Sequence, residues 1–142
     1  MKINRVSFIL VCFNLFAQEN IDLKKGIAFN LGDENSWQER FEKLKPHWHY
    51  SWNWELRENY PDGIEFVPMI WGRGSATQSK IDYLNNLANE GKIANVLLFN
   101  EPDLVGQSNM SVNEVITLWP LIETLDVPIS SPVTSAPLND WM

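Results

Sequence analysis

The sequence has little cysteine, little positive charge and no apolar run long enough to span a membrane. Its one cysteine, Cys12, lies near the N-terminus, so we expect neither a disulfide framework nor a cysteine nucleophile in a processed chain. Eleven Lys and Arg residues stand against eighteen Asp and Glu residues, which gives a formal net charge of −7. Such an acidic chain, without a basic stripe, repels polyanions, and we therefore exclude a nucleic-acid partner.

Other catalytic signatures are also missing. No glycine-rich phosphate loop follows the first predicted strand, and no serine nucleophile elbow occurs, which argues against nucleotide binding and serine hydrolysis. His47 and His49 are two residues apart and could share one strand face as metal ligands. Because no third histidine and no clear carboxylate ligand lies nearby, packing roles are favoured, and we expect no metal and no cofactor.

The first 17 residues have the pattern of a secretory signal peptide. Lys2 and Arg5 precede a short apolar run that ends at Ala17, and a polar stretch follows. We expect cleavage after Ala17, a secreted or periplasmic mature chain, and no membrane association after cleavage. The alternatives are a buried N-terminal strand or helix and a lipoprotein signal at Cys12, although Val11 is bulky for a lipid-modification site.

Aromatic residues are abundant. Seven Trp, seven Phe and three Tyr make up 12% of the chain. Composition alone favours core filling, because aromatic side chains bury large areas. The alternative is a groove in which aromatic rings stack on the C–H faces of sugars.

Apolar runs alternate with helical patterns from residue 26 onward. The predicted strands cover residues 26–30, 47–54, 64–71, 96–100 and 127–133. The predicted helices cover residues 37–44, 79–88 and the stripe Val112, Val115, Ile116, Trp119 and Ile122, which opens with a Ser111 and Glu114 capping box. This alternation predicts an α/β fold with a parallel sheet and outer helices, either a doubly wound open sheet or a barrel.

Polar and aromatic residues collect where the predicted strands end. They are Asn30, Asn53 with Trp54, Trp71 with Gly72, Asn100 with Glu101, and Ser130 with Ser131. In a parallel barrel the active site lies at the carboxyl ends of the strands. This edge is therefore the predicted site.

Glu101 is the most informative of these residues. By the period of two, Leu97, Phe99 and Glu101 share one strand face, and Pro102 favours an extended conformation for Glu101. A carboxyl at a barrel mouth can act as a general acid, and Asn100 could bind a sugar hydroxyl. The alternative is a surface glutamate beside a loop proline.

Here the chain resembles glycoside hydrolase family 128. The resemblance rests on Asn100-Glu101-Pro102-Asp103 followed by Gln107-Ser108-Asn109-Met110-Ser111. Supporting matches occur in the family's order over about residues 24 to 142, at residues 25–30, 52–54, 66–72, 119–120 and 131–132. The family consists of endo-β-1,3-glucanases with retaining (β/α)8 TIM barrels and catalytic residues on strands four and seven.

The resemblance implies Glu101 as the acid/base and Trp54 and Trp71 as contributors to β-glucan binding. We add Asn30, Asn53 and Asn100 to the predicted substrate-binding residues. The chain supplies about five of the eight strands of such a barrel and stops before the family's nucleophile on strand seven. The carboxylates near strand ends, Glu55, Asp103 and Asp140, do not match that position.

We therefore expect residues 18–142 to be the N-terminal part of an exported barrel hydrolase, monomeric when complete and slow or inactive alone. One alternative is a non-catalytic glucan-binding remnant. Another is a small, complete α/β interaction domain, which would unfold cooperatively as a monomer.

Overall fold

The fold combines parallel strands and helices, as the sequence predicts, although no helix separates the second strand from the third among the described residues. The computed structural model describes residues 23–29, 34–58, 60–136, 138–139 and 141. In chain order the elements are β1 (Gly26–Ala28), α1 (Glu34–Leu44), β2 (Trp48–Tyr50), β3 (Glu65–Phe66), β4 (Met69–Ile70), α2 (Gln78–Asn89), β5 (Val96–Asn100), α3 (Val112–Ile122) and β6 (Ile129–Val133). The predicted signal peptide, residues 1–17, lies outside the described residues. Among the residues that are described, no helix is long and apolar enough to cross a membrane.

The strands form two parallel sheets in which neighbours follow sequence order. One sheet has the order β1-β2-β3 and the other β4-β5-β6. A doubly wound sheet reverses its strand order at a switch point, whereas a barrel runs in sequence order. The observed order is compatible with a barrel wall, and also with one half of a doubly wound sheet, which runs in sequence order up to the switch point.

The third predicted strand, residues 64–71, is divided between the two sheets. Its first part, β3, pairs with β2, and its second part, β4, pairs with β5. Pro68 lies between the parts and has no N–H to donate, yet its carbonyl accepts a hydrogen bond from the Leu97 N–H at 2.9 Å. The backbone therefore passes directly from one sheet to the next at Pro68.

Helices α1 and α2 contribute apolar side chains to the core that they share with the strands. Trp37 and Phe41 of α1 and Ile81, Leu84 and Leu87 of α2 are buried. The prediction for α2 is confirmed within one residue at each end, and Gly91 beyond it has a φ of 69°, as a glycine at a helix end permits.

Helix α3 confirms its predicted start but only part of its predicted stripe. The Ser111 and Glu114 capping box is present, with the Ser111 N–H donating to Glu114 Oε2 at 2.7 Å. These hydrogen bonds from Ser111 lower the pKa of Glu114 below its usual range. Val115 and Ile122 are buried, but Ile116 is 61% exposed.

Candidate active site

Glu101 is the first residue after β5, at the carboxyl end of a strand that lies between β4 and β6. Its N–H donates to the Val133 carbonyl at 2.8 Å, and its side chain is half-buried. Its φ of 43° is in the left-handed region. The extended conformation predicted from Pro102 is therefore wrong.

The reason lies in the pairing of β5 with β6. The register of the two strands is irregular on both sides of Leu98, and Phe99 also has a left-handed φ, of 44°. Phe99 is fully buried, whereas Leu97 and Glu101 are only half-buried. The simple alternation that placed these three side chains on one face does not continue through the bulge.

Asn100 is held from both sides. Its N–H donates to the Trp71 carbonyl at 2.9 Å, and its carbonyl accepts from the Ser108 N–H at 3.3 Å. Its side-chain Nδ2 donates to Gln107 Oε1 at 3.0 Å. The Gln107-Ser108 part of the sequence signature thus folds back over the end of β5 and orients Asn100.

Trp71 follows β4 and is half-buried at the same edge. The next residue, Gly72, lies so close to the loop after β5 that a Cβ there would be 3.0 Å from Ser108 Cβ. Arg73 adds an ion pair with Glu114 at 2.9 Å between Nη1 and Oε1. The loops that follow β4 and β5 are therefore fastened together.

Asn53 and Trp54 lie in the loop after β2, because that strand ends at Tyr50 and not at the predicted residue 54. The Asn53 carbonyl accepts from the Met69 N–H at 2.8 Å, which ties this loop to the start of β4. The Trp54 ring packs edge-on against Tyr83, with centroids 5.3 Å apart, and Lys80 Nζ lies 5.0 Å from the Trp54 centroid. Helix α2 thus holds the Trp54 indole.

The backbone bonds bring four predicted site residues to one edge. Asn53 is linked to β4, which leads into Trp71, and Trp71 is linked to Asn100 and so to Glu101. Trp54 lies in the same loop as Asn53, and the sixth predicted residue, Asn30, lies outside the described residues. The substrate-binding and catalytic roles of these residues stay predictions.

A row of aromatic rings, Trp48, Tyr50 and Trp52, was not among the predicted site residues. Trp48 and Tyr50 stack with centroids 6.3 Å apart, and Tyr50 meets Trp52 edge-on at 5.0 Å. Trp48 and Tyr50 are half-buried and Trp52 is 41% exposed. Gly26 of the neighbouring strand makes room for the row, since a Cβ there would lie 2.1 Å from the Trp48 ring. In the sequence, this row is indicated by aromatic residues at every second position from 48 to 52.

Glu55, Asp103 and Asp140 are the carboxylates near strand ends that could be considered as the nucleophile. Glu55 is exposed, and Asp140 lies outside the described residues. Asp103 accepts four hydrogen bonds: from the Ser135 N–H (2.8 Å), Ser135 Oγ (2.8 Å), the Ala136 N–H (3.2 Å) and Asn139 Nδ2 (2.6 Å). Desolvation raises the pKa of Asp103, but the hydrogen bonds from Ser135 and Ala136 bring it below its usual range. A carboxylate so occupied is an anchor and a poor nucleophile.

The two histidines have different surroundings. His47 Nε2 lies 3.8 Å from Glu65 Oε2 in a half-buried position. His49 is fully buried among aromatic rings, and this burial lowers its pKa to about 4. Its packing role is confirmed by ring contacts at 4.9 to 5.5 Å with Phe29, Phe41, Tyr60 and Phe66. Within the part of the chain that the structure describes, no group of three His, Cys, Asp or Glu side chains could hold a metal ion.

Comparison with known proteins gives one family and a set of similar structures. Residues 26–142 match the family model described as glycosyl hydrolase catalytic core. None of the curated proteins matches the chain.

The similar solved structures confirm the resemblance to family 128. A subgroup I endo-β-1,3-glucanase from Amycolatopsis mediterranei, in complex with laminaritriose, is 31% identical with a TM-score of 0.61, over 79% of this chain and 43% of that one. A subgroup II endo-β-1,3-glucanase from Pseudomonas viridiflava is 27% identical with a TM-score of 0.62, over 80% and 46%. A subgroup III curdlan-specific exo-β-1,3-glucanase from Blastomyces gilchristii, in complex with glucose, is 28% identical with a TM-score of 0.62, over 83% and 51%. The chain thus spans about half the length of these enzymes.

Proposed function

Because the chain belongs to the glycosyl hydrolase catalytic core family, we propose that it forms the acid-bearing half of a barrel that hydrolyses β-1,3-glucan. The observation that carries the proposal is the position of Glu101. Its half-buried carboxyl follows the central strand of β4-β5-β6, on the edge where active sites of parallel barrels lie.

The barrel is supported by the strand order and by the matched structures. If β3 and β4 count as the two parts of one strand, the parallel strands supply about five of the eight strands of a (β/α)8 TIM barrel. The matched share of the solved enzymes, 43% to 51%, agrees with such a part. The remaining strands would then come from sequence outside residues 1–142.

In this proposal Glu101 protonates the departing glycosidic oxygen and later activates water. A retaining mechanism also needs a nucleophilic carboxylate about 5–5.5 Å from the acid. The Amycolatopsis enzyme has been crystallised with either of two glutamates replaced, which is compatible with a pair of carboxyls. Since Glu55 is exposed and Asp103 is occupied, the nucleophile would come from the other half of the barrel.

The proposed substrate is a β-1,3-linked glucan. The Amycolatopsis structures contain laminaritriose, laminaripentaose or laminarihexaose. In this chain the aromatic row of Trp48, Tyr50 and Trp52 offers apolar faces to sugar rings, and Asn100 offers a side-chain amide.

The first prediction concerns Glu101→Gln in the product of the full reading frame, including any sequence that follows residue 142. We expect kcat on laminarin to fall about 100-fold or more, because the variant has no proton to give the leaving oxygen. An aryl glycoside of laminaribiose, whose leaving group departs without protonation, should lose much less in kcat/KM, because that constant reports only the first step and not the later activation of water by Glu101. Reducing-end release measures the first rate and phenolate absorbance the second.

The matched control is Glu42→Gln, the same change at an exposed position of α1. It should leave both rates at the wild-type value. Equal rates for Glu101→Gln and the wild type on laminarin would overturn the assignment. The anomeric configuration of the first product, read by NMR, separates retention from inversion.

A second candidate function is glucan binding without hydrolysis, favoured by the aromatic row. It predicts that residues 18–142 bind laminari-oligosaccharides while the full product releases no reducing ends. The enzyme is supported if the wild-type protein hydrolyses laminarin and the Glu101→Gln variant still binds laminari-oligosaccharides.

Export is a further proposal. The basic start and short apolar run of residues 1–17 support secretion or periplasmic delivery. N-terminal sequencing of the mature protein should begin at Gln18, and a retained Met1 would contradict it.

A further inference from the structure

Backbone pairing between β5 and β6 stops at Glu101. The Glu101 N–H donates to the Val133 carbonyl at 2.8 Å, and the next residue along the chain is Pro102, which has no N–H to extend the ladder. Past this point the segments that follow β5 and β6 have no backbone hydrogen bond between them in this ladder, and another group must join them.

The carboxylate of Asp103 is that group. Asp103 follows Glu101 by two residues, as Ser135 follows Val133, and Oδ1 accepts from the Ser135 N–H at 2.8 Å. Oδ2 accepts from Ser135 Oγ and from Asn139 Nδ2 at 2.8 and 2.6 Å. The Asp103 side chain thus replaces the backbone hydrogen bond that Pro102 cannot make.

Glu101 needs this support because of its backbone. A non-glycine residue in the left-handed region is strained and persists only where its surroundings fix it. Glu101 has a φ of 43° and lies between two fixed points, its own bond to Val133 and the Asp103 attachment.

We infer that Asp103 is a positioning residue, which holds the Glu101 backbone in the conformation that directs its carboxyl at the glycosidic oxygen. This inference rests on the proposed function. It gives Asp103, the last residue of Asn100-Glu101-Pro102-Asp103, a role distinct from proton transfer and from nucleophilic attack.

The test is Asp103→Asn in the full product, with Asp126→Asn as the control for the same change in charge. Asp126 is exposed, and the hydrogen bond described for it is made by its backbone N–H. We expect Asp103→Asn to lower kcat on laminarin about 10- to 100-fold, since a misplaced acid group costs rates of this order, with KM changed less than about threefold. The control should keep both constants.

A purely structural role would slow every substrate alike. Positioning of the acid predicts a small loss of kcat/KM on the aryl glycoside of laminaribiose and a large loss of kcat/KM on laminarin. Hydrogen exchange of the Glu101 amide should also become faster in Asp103→Asn, because the anchor beside it is weakened. If circular dichroism shows that this variant does not fold, Asn139→Ala removes one donor only and should give a smaller loss of the same selectivity.

The outcomes separate the two proposals. A wild-type protein with no activity on laminarin overturns the proposed function and this inference with it. A wild type that is active, with a kcat in Asp103→Asn or Asn139→Ala equal to it, overturns this inference alone. Equal losses on laminarin and on the aryl glycoside also contradict it.

Discussion

Glu101 and His49 are among the residues that their surroundings hold in unfavourable states, Glu101 through its backbone and His49 through its side chain. Glu101 has a left-handed φ of 43°, and His49 is fully buried with neither ring nitrogen hydrogen-bonded. Each state costs free energy that neighbouring contacts offset. The two residues differ in location, since Glu101 lies at the candidate site and His49 in the aromatic core.

The buried histidine makes stability depend on pH. Its pKa is about 4 in the folded chain and 6.5 in the unfolded chain. Between these values the unfolded chain binds the proton, so the stability present above pH 6.5 is lost as the pH falls toward 4. The shift corresponds to about 3 kcal/mol.

We predict that His49→Leu removes this part of the acid sensitivity. Urea unfolding at pH 7 and pH 4.5 measures the free energy of unfolding for the wild type and the variant. The difference between the two pH values should be smaller in the variant by about 2 kcal/mol or more. If the free energy of unfolding falls by the same amount between pH 7 and pH 4.5 in the wild type and the variant, the prediction is contradicted.

Sequence reasoning identified Glu101 but not its backbone conformation. The residue before a proline avoids the helical region in isolated chains, and this local rule predicted an extended Glu101. The outcome was decided by the irregular register between β5 and β6, a long-range feature that no local pattern reveals. The role of Asp103 was missed for the same reason, because its partners lie more than thirty residues away.

At the scale of elements, helix boundaries followed from capping chemistry. The Ser111 and Glu114 box begins α3, as predicted, and β5 covers the predicted residues 96–100. The sequence predicts a single strand over residues 64–71, although this segment contains Pro68. The structure shows why proline is tolerated there: the strand changes sheets at that residue.

The two helix starts offer a matched pair of variants. Ser111 Oγ accepts from the Glu114 N–H, whereas the side chain of Thr77, the residue before α2, caps no backbone N–H. We predict that Ser111→Ala lowers the free energy of unfolding by about 1 kcal/mol and that Thr77→Ala lowers it by less. Urea denaturation of both variants measures the difference, and equal losses would show that the box contributes nothing beyond propensity.

At the scale of the whole molecule, apolar surface remains uncovered. Trp52, Ile116 and Val133 are 41%, 61% and 59% exposed, and Val133 belongs to β6, which pairs on one side only within the described strands. A strand edge flanked by exposed apolar side chains is prone to association. The parallel α/β class was predictable because strands that alternate with helical patterns are a local signal, while the barrel came from the family resemblance and the extent of covered surface has no local signal.

We therefore predict that purified residues 18–142 self-associate. Light scattering should give a mass that rises with concentration, and thermal unfolding should be broad. The rival interpretation, a small complete α/β domain, predicts a constant mass of one chain and a sharp transition. A concentration-independent monomer would therefore support the rival and weaken the half-barrel proposal.

The contact between Gly26 and the Trp48 indole has a consequence for mutational tolerance. A single methyl group at position 26 would collide with the ring, and the ring cannot move without disturbing Tyr50, which stacks on it. A substitution at position 26 of β1 would therefore displace the rings of the whole aromatic row. In a library selected for retention on a glucan column, position 26 should accept only the residue it has, although it lies far along the chain from Glu101.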